Sequence, residues 1–369
     1  MDRHGELTGI QFLRGFCAIG VVIGHCAAML AKPKYGGLTL LGGALESGSL
    51  GVDIFFVISG FIIAVVVLRG PDLQPIMTMT EFAKRRLVRI VPMMWLAIMS
   101  YAVLQHLFAR DLIDVPAYVR AFFLVPYSYV KPDIIWTLRQ EIIFYLLFLL
   151  SFFGHKYLRL IIVAWVFSPI AYVAQLGSMS ATTAYIDTFG SVFFSSVNLE
   201  FGMGLALGII WTCRSPRGNW RLFVHPFLVI ACLLAAIVGL SWSSGLVSQS
   251  LPGVAFMGLS GGLLVSLSAR SFCPPGWLTS FGRLLGDASY SVYLFHLHIL
   301  AGLLALRVKL GFVASAPFLI GAVVLAATAL SIILHVYVER PLLRWIRERL
   351  DRRNYRAGGA VKAAIPPAV

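Results

Sequence analysis

Apolar residues along this chain come in runs of about 20, separated by short breaks that are polar or contain Gly and Pro. A helix crosses the hydrocarbon of a bilayer in about 20 residues, so each run is long enough for one span. Ten such runs lie near 9–30, 50–68, 88–108, 134–153, 158–175, 191–211, 223–241, 252–268, 286–306 and 314–338. The pattern predicts an all-α membrane protein of about ten transmembrane helices, with residues 1–340 forming one ten-span unit. No repeat of 20–50 residues is visible, and no second soluble domain is expected after the last span. Residues 341–369 begin within ERPLLRWIRERLDRRNYR, which starts at Glu339 and predicts a basic amphipathic stretch on the inner leaflet, and from Ala357 they read as a disordered tail.

Composition changes this picture only by confirming its solvent. With 59% hydrophobic and 12% charged residues and a mean hydropathy of +0.85, a soluble protein is excluded. The first run carries Arg14 and His25 and no convincing cleavage site, so it reads as a span and not as a signal peptide. Cys17, Cys26, Cys213, Cys232 and Cys273 have no metal-ligand spacing and read as small buried apolar residues, and no metal is expected.

A net charge of +14 raises the question of nucleic acid, but the cations sit at membrane edges and no nucleic-acid partner is expected. With the N-terminus inside, the inner segments hold Arg3, Arg69, Lys84, Arg85, Arg86, Arg89, Lys156, Arg159, Arg214, Arg217, Arg221, Arg270, Arg283 and the cluster from Arg340 to Lys362. The outer loops hold only Lys32, Lys34, Arg110, Arg120, Lys131, Arg307 and Lys309. The positive-inside rule then puts both termini in the cytoplasm and makes the span number even. Ten spans fit, whereas eight or twelve strain the map. The longest outer loops, 31–49 and 109–133, are expected to wall an outward-facing site. The aromatic run Phe122, Phe123, Tyr127 and Tyr129 reads either as an interfacial belt or as a sugar-stacking platform.

Ionisable groups in the hydrocarbon cost several kcal/mol unless they face a partner or a polar cavity, so each is a functional candidate. In LRGFCAIGVVIGH, Arg14 and His25 are eleven residues apart, about three helical turns plus 20°. They therefore share one face and lie roughly 16 Å apart along the axis. Neutral imidazole suits proton removal from a hydroxyl near neutral pH, which makes His25 the candidate base. Asp53 in GVDIFFVISGF is expected near the depth of His25. There it either orients the imidazole or caps its own helix. Ser59 and Gly60 allow close helix approach.

In KRRLVRIVP, Arg85, Arg86 and Arg89 form a patch at the inner mouth of the third span, at the depth of Arg14. The patch is either a positive-inside anchor or a grip for the phosphates of a nucleotide-bearing donor. In IIWTLRQEIIFY, Arg139 and Glu141 enter the fourth span about 7 to 11 Å from the outside, on different faces. Glu141 is a candidate to contact the acceptor or position the base, with Tyr145 one turn deeper on its face. Asn198 and Glu200, and Asp287, Ser289, Tyr290, Tyr293, His296 and His298 in LGDASYSVYLFHLHI, are fainter signals that read as packing or pore lining.

Together these motifs resemble the acyltransferase-3 family of membrane acyltransferases, and within it the bacterial exopolysaccharide and O-antigen O-acetyltransferases. Arg14 with His25 matches the family's R-x10-H motif, GVDIFFVISGF its second-span signature and KRRLVRIVP its arginine motif. WTLRQEIIFY, NLEFGMG and SYSVYLFHLH match three further elements in the same order. The resemblance implies a multi-pass protein of the bacterial inner membrane that uses acetyl-CoA or another acyl-CoA as co-substrate. It implies His25 as catalytic residue, Arg14, Arg85, Arg86 and Arg89 as donor-binding, and a carbohydrate or lipid-linked glycan as acceptor. Asp53 and Glu141 join His25 as catalytic candidates, and Arg139, Tyr145 and His296 are substrate-binding candidates. Polysaccharide-assembly proteins or a second copy of the chain are the partners such an enzyme leaves room for. Arg139 and Gln140 stand where the family commonly has less bulky residues, and no SGNH-type domain is expected. Direct attack of a sugar hydroxyl on the thioester is one route and a covalent acyl-enzyme another, although no Ser or Cys stands out. The rivals are a glycolipid transporter or flippase, whose path intramembrane charges would also line, and a non-catalytic scaffold.

Overall fold

The structure is a computed structural model that describes residues 7–40, 50–70, 72–109, 114–154, 156–175, 188–213, 226–243, 250–271 and 273–350. The inner segment around Arg214 to Arg221, part of the first outer loop and the tail from 351 lie outside the described residues. Among the described residues twelve α-helices follow in chain order: α1 (Thr8–Leu30), α2 (Leu50–Val67), α3 (Met79–Leu104), α4 (Val115–Phe122), α5 (Ile135–Phe148), α6 (Lys156–Gln175), α7 (Phe189–Phe193), α8 (Asn198–Cys213), α9 (Pro226–Ser243), α10 (Leu251–Arg270), α11 (Trp277–Lys309) and α12 (Ala316–Leu334). Two-residue strands β1 (Leu68–Arg69) and β2 (Gln74–Pro75) pair antiparallel between α2 and α3. Among the described residues eight helical stretches are long and apolar enough to cross a membrane. The shorter apolar helices Gly51–Val67 and Pro226–Leu240 occupy the other two expected positions. The helix from Ala316 runs on through a wider turn at His335–Glu339 to Leu350, so the first part of the predicted amphipathic stretch continues the last span.

Small residues decide which helices touch. In hydrocarbon there is no solvent to expel, so helices associate where backbones approach closely enough for dispersion and short polar contacts. The α2–α8 seam is built this way: a Cβ on Gly204 would lie 1.9 Å from the Val57 carbonyl oxygen, and one on Gly60 would lie 2.2 Å from that of Phe201. Beside the seam, Phe144 of α5 stacks on Phe201 of α8 at 4.4 Å, and Phe56 of α2 lies 4.8 Å from Phe201. Gly204→Leu should force α2 and α8 apart at a cost of about 1–3 kcal/mol. A lower melting temperature of the detergent-purified variant is the expected reading, and an unchanged one refutes the close seam.

Against α1 lies α11, where Gly282 accommodates Phe12 and Gly286 accommodates Gln11. The two helices run in the same direction, because Arg14 meets Ser289 and His25 meets His296. Ser289 and His296 are seven residues apart, two turns less about 20°, so one face of α11 receives both members of the α1 stripe. Cys17 and Cys26 are buried in this packing as expected, whereas Cys213 and Cys232 are exposed on the outside of the bundle.

Candidate active site

A cavity of about 790 Å³, counting its open mouth, lies inside the bundle. Arg14, Arg86 and Arg89 supply its cations and Glu141 its carboxylate, with Ser59, Thr137, Tyr145, Ser289, Tyr290 and Tyr293 as polar lining and Val52, Phe55, Phe56, Ile58 and Ile62 as an apolar wall. Five elements converge: α1 gives Arg14, α2 the apolar wall and Ser59, α3 the two arginines, α5 Glu141 and Tyr145, and α11 Ser289, Tyr290 and Tyr293.

Arg14 donates to Ser289 Oγ at 2.9 Å and to Gln11 Oε1 at 3.1 Å. Both acceptors are neutral, so the guanidinium keeps its charge available to the cavity. Arg86 lies over the rings of Phe82 and Tyr145, at 5.4 and 5.2 Å, which holds it by cation–π attraction and turns it toward the chamber. Arg85 parts company with them. It pairs with Glu81 one turn back and its side chain is 63% exposed. Arg89 lies between the other two in angle, about 40° from Arg85 and about 60° from Arg86, and because the chamber is on the Arg86 side the expected three-arginine patch splits into two cavity arginines and one surface ion pair.

Glu141 receives hydrogen bonds from Tyr145 Oη and, at 3.4 Å, from Ser59 Oγ. The sequence places this carboxylate near the outer mouth with the base. The structure instead puts it in the same chamber as Arg14, Arg86 and Arg89. Tyr290, whose hydroxyl donates to the Ile90 carbonyl at 2.8 Å, and Tyr293, which bonds Thr137 Oγ1 at 2.7 Å, are cavity lining as the pore reading has it.

His25 is not among the residues that line the cavity. Its Nδ1 lies 3.0 Å from the Val21 carbonyl and 3.2 Å from Nε2 of His296, and the His296 ring is in turn 6.0 Å from that of Tyr293. From the loops after α1 and before α5, Lys32 and Asp133 are the charged groups whose fields reach His25. Burial pushes the Asp133 carboxyl up from its ordinary range, and Lys131, Lys32 and His25 pull it back.

Three expected placements change. Asp53 is fully buried but is not among the hydrogen-bond partners of His25; it lies beside the buried Glu200 of α8. Gly51 is the residue of this turn that faces α1, against the Cys17 carbonyl, and Asp53 is 200° further round α2. Arg139, 3% exposed, donates to the Val125 and Ser128 carbonyls at 3.3 and 2.8 Å and so ties down the outer loop. His296 meets His25, and its own Nδ1 lies 2.7 Å from the Tyr293 carbonyl. Of the loop aromatics, Phe123, Tyr127 and Tyr129 are exposed while Phe122 packs on Trp95. Arg139→Leu should speed amide hydrogen exchange at residues 125–131, since two partly buried carbonyls lose a charged donor worth about 1.5–3 kcal/mol. Unchanged exchange there would show that Arg139 does not hold the loop.

Sequence reasoning undervalued Ser289, Tyr290 and Tyr293. Their signal was present in the spacing, because Ser289, Tyr293 and His296 recur every three or four residues along α11. A second buried network, in which Ser291 donates to Glu339, His335 Nδ1 meets Glu339 at 2.7 Å and Arg340 donates to His335 Nε2 at 3.0 Å, ties α11 to the end of α12. Among the described residues no cluster of three or more His, Cys, Asp or Glu could hold a metal ion.

Fold and cavity together define a multi-pass membrane protein with a cation-lined chamber inside its helix bundle. A family model described as an acyltransferase domain, that of the acyltransferase-3 family, matches residues 7–336, and the chain belongs to this family of membrane acyltransferases. Its relatives include the exopolysaccharide production protein ExoZ of Rhizobium meliloti, 31% identical over 86% of this chain and 95% of the relative. The O-acetyltransferase OatA of Staphylococcus aureus is 27% identical over 56% of this chain and 35% of the relative. The putative peptidoglycan O-acetyltransferase YrhL of Bacillus subtilis is 22% identical over 80% of this chain and 49% of the relative. No solved structure matches.

Proposed function

We propose that the protein transfers an acetyl group from acetyl-CoA on the cytoplasmic side of the bacterial inner membrane to a hydroxyl of an exported polysaccharide, with both chain termini in the cytoplasm. The observation that carries this reading is the chamber itself. Arg14, Arg86 and Arg89 line it together with an apolar wall that includes Phe55 and Phe56, and the candidate base His25 pairs with His296, whose ring neighbours the cavity residue Tyr293. Guanidinium groups suit the phosphates of coenzyme A, and an apolar wall suits its pantetheine arm. The name of the relative covered almost end to end, an exopolysaccharide production protein, supports an exopolysaccharide as acceptor.

In the step proposed here, the acceptor hydroxyl oxygen attacks the thioester carbonyl carbon while His25 Nε2 takes the hydroxyl proton. The carbon–sulfur bond breaks, the proton passes to the departing thiolate, and the products are the acetyl ester and free coenzyme A. Arg14, Arg86 and Arg89 bind the donor, Glu141 holds Tyr145 and Ser59 in place within the chamber, and Asp53 supports α2 from its buried site beside Glu200. The test supplies the purified protein in nanodiscs with radiolabelled acetyl-CoA and a panel of unacetylated bacterial exopolysaccharides. Label in polysaccharide bears the reading out. Failure to bind coenzyme A, together with movement of a glycolipid across liposomes, would make the protein a transporter instead.

A further inference from the structure

Hydrogen-bond polarity in the His25–His296 pair can be solved from the acceptors around it. His296 Nδ1 lies 2.7 Å from the Tyr293 carbonyl and 3.2 Å from that of Val292, and carbonyl oxygens only accept, so the proton of this fully buried ring sits on Nδ1. Its Nε2 is then an acceptor. His25 Nδ1, 3.2 Å away, also faces the Val21 carbonyl at 3.0 Å, so it carries the proton. The nitrogen left with a free lone pair on His25 is Nε2.

The two interactions at His25 Nδ1 are not equivalent. The Val21 carbonyl already belongs to the helical ladder of α1, four residues before His25. Among the described residues Nε2 of His296 has no other hydrogen bond, so the pair satisfies a nitrogen that burial would otherwise strand. We propose that His296 is the positioning residue for His25: it receives the Nδ1–H, fixes the tautomer that leaves Nε2 bare, and shares the positive charge when Nε2 is protonated. An orienting carboxylate would do the same at the cost of a fixed negative charge in the membrane, and a neutral imidazole avoids that cost. This role rests on His25 being the base.

The titratable and charged groups around the pair are His298 on α11 and, from the outer side, Asp133 and Lys32. His298 turns its Nε2 to Ala97 and Ser100 on α3 and stays outside the pair.

The test combines a spectrum with kinetics. In nanodisc-embedded protein labelled with 15N-histidine, the signals lost in His25→Gln identify His25. A proton on Nδ1 and none on Nε2 supports the proposal, and a proton on Nε2 overturns it whether or not the protein transfers acetyl groups. In the transfer assay, His296→Leu should lower kcat at least about tenfold, the loss of one charge-assisted hydrogen bond. It should also move the acid limb of the kcat/KM profile to lower pH, because the imidazolium loses its acceptor. Gln at 296 sets an amide oxygen near the Nε2 position and should restore most of the rate and the position of the limb. A Gln variant as slow as the Leu variant, or a Leu variant with an unmoved limb, assigns His296 to packing alone. Wild-type protein that binds coenzyme A yet acetylates no glycan, with the Nδ1–H tautomer in the spectrum, would refute the acyl-transfer reading and leave the pair standing.

Discussion

Replacing His25 by alanine should lower acyl transfer by roughly 10²- to 10⁴-fold, the range expected for loss of a general base. His25 is the candidate base: its Nδ1 lies beside the Val21 carbonyl and Nε2 of His296, and the pairing proposed above leaves its own Nε2 with the lone pair. The structural cost of the same substitution is small by comparison. The hydrogen bond to His296 is lost and the buried Nε2 of His296 is left without that donor, a cost of about 1–3 kcal/mol, too little to unfold a bundle of apolar helices. The checks are kcat with labelled acetyl-CoA and the melting temperature of the same preparation. A variant that stays folded and keeps its rate moves the base elsewhere, with Glu141 the next group to examine, since it is the carboxylate of the chamber.

The second large effect concerns the donor. Changing both Arg86 and Arg89 to Gln should raise KM for acetyl-CoA by about a hundredfold or more, because each charge-assisted contact to phosphate is worth roughly 1.5–3 kcal/mol. The change should fall on KM more than on kcat, since binding the nucleotide end affects ground state and transition state alike. Arg85→Gln is the internal control. Arg85 pairs with Glu81 at the surface and lies outside the cavity, so its loss should change KM by less than about twofold. Titration of coenzyme A by calorimetry distinguishes the two outcomes. Equal weakening by all three substitutions would mean that the arginines act only through the general field at the membrane edge.

These two predictions were within reach of the sequence to different degrees. Arg14 and His25 were legible because helical periodicity is local: eleven residues return to the same face whatever the helix packs against. The pairing of that face with Ser289 and His296 was not, since it depends on how α11, more than 250 residues away, is rotated. The same reason separates Arg85 from Arg86 and Arg89, and turns Asp53 toward Glu200. Arg139 looked like a substrate contact because it is a charge near a span entrance, but such a charge is equally well satisfied by the loop folded over it.

What the sequence determined alone was the solvent, the position of each apolar helix and the residues along each helix that had to find polar partners. Transfer free energy accumulates residue by residue along a local segment, so hydropathy and composition suffice for these. The tertiary structure decided the rest: that Glu141 joins the arginines in one chamber, that Tyr290 and Tyr293 line it, and that a second histidine adjoins the first. These depend on close approaches allowed by individual glycines, such as Gly204 against Val57 and Gly286 against Gln11. Helix rotation in hydrocarbon is set by such contacts between distant segments, for which the one-dimensional pattern carries no term.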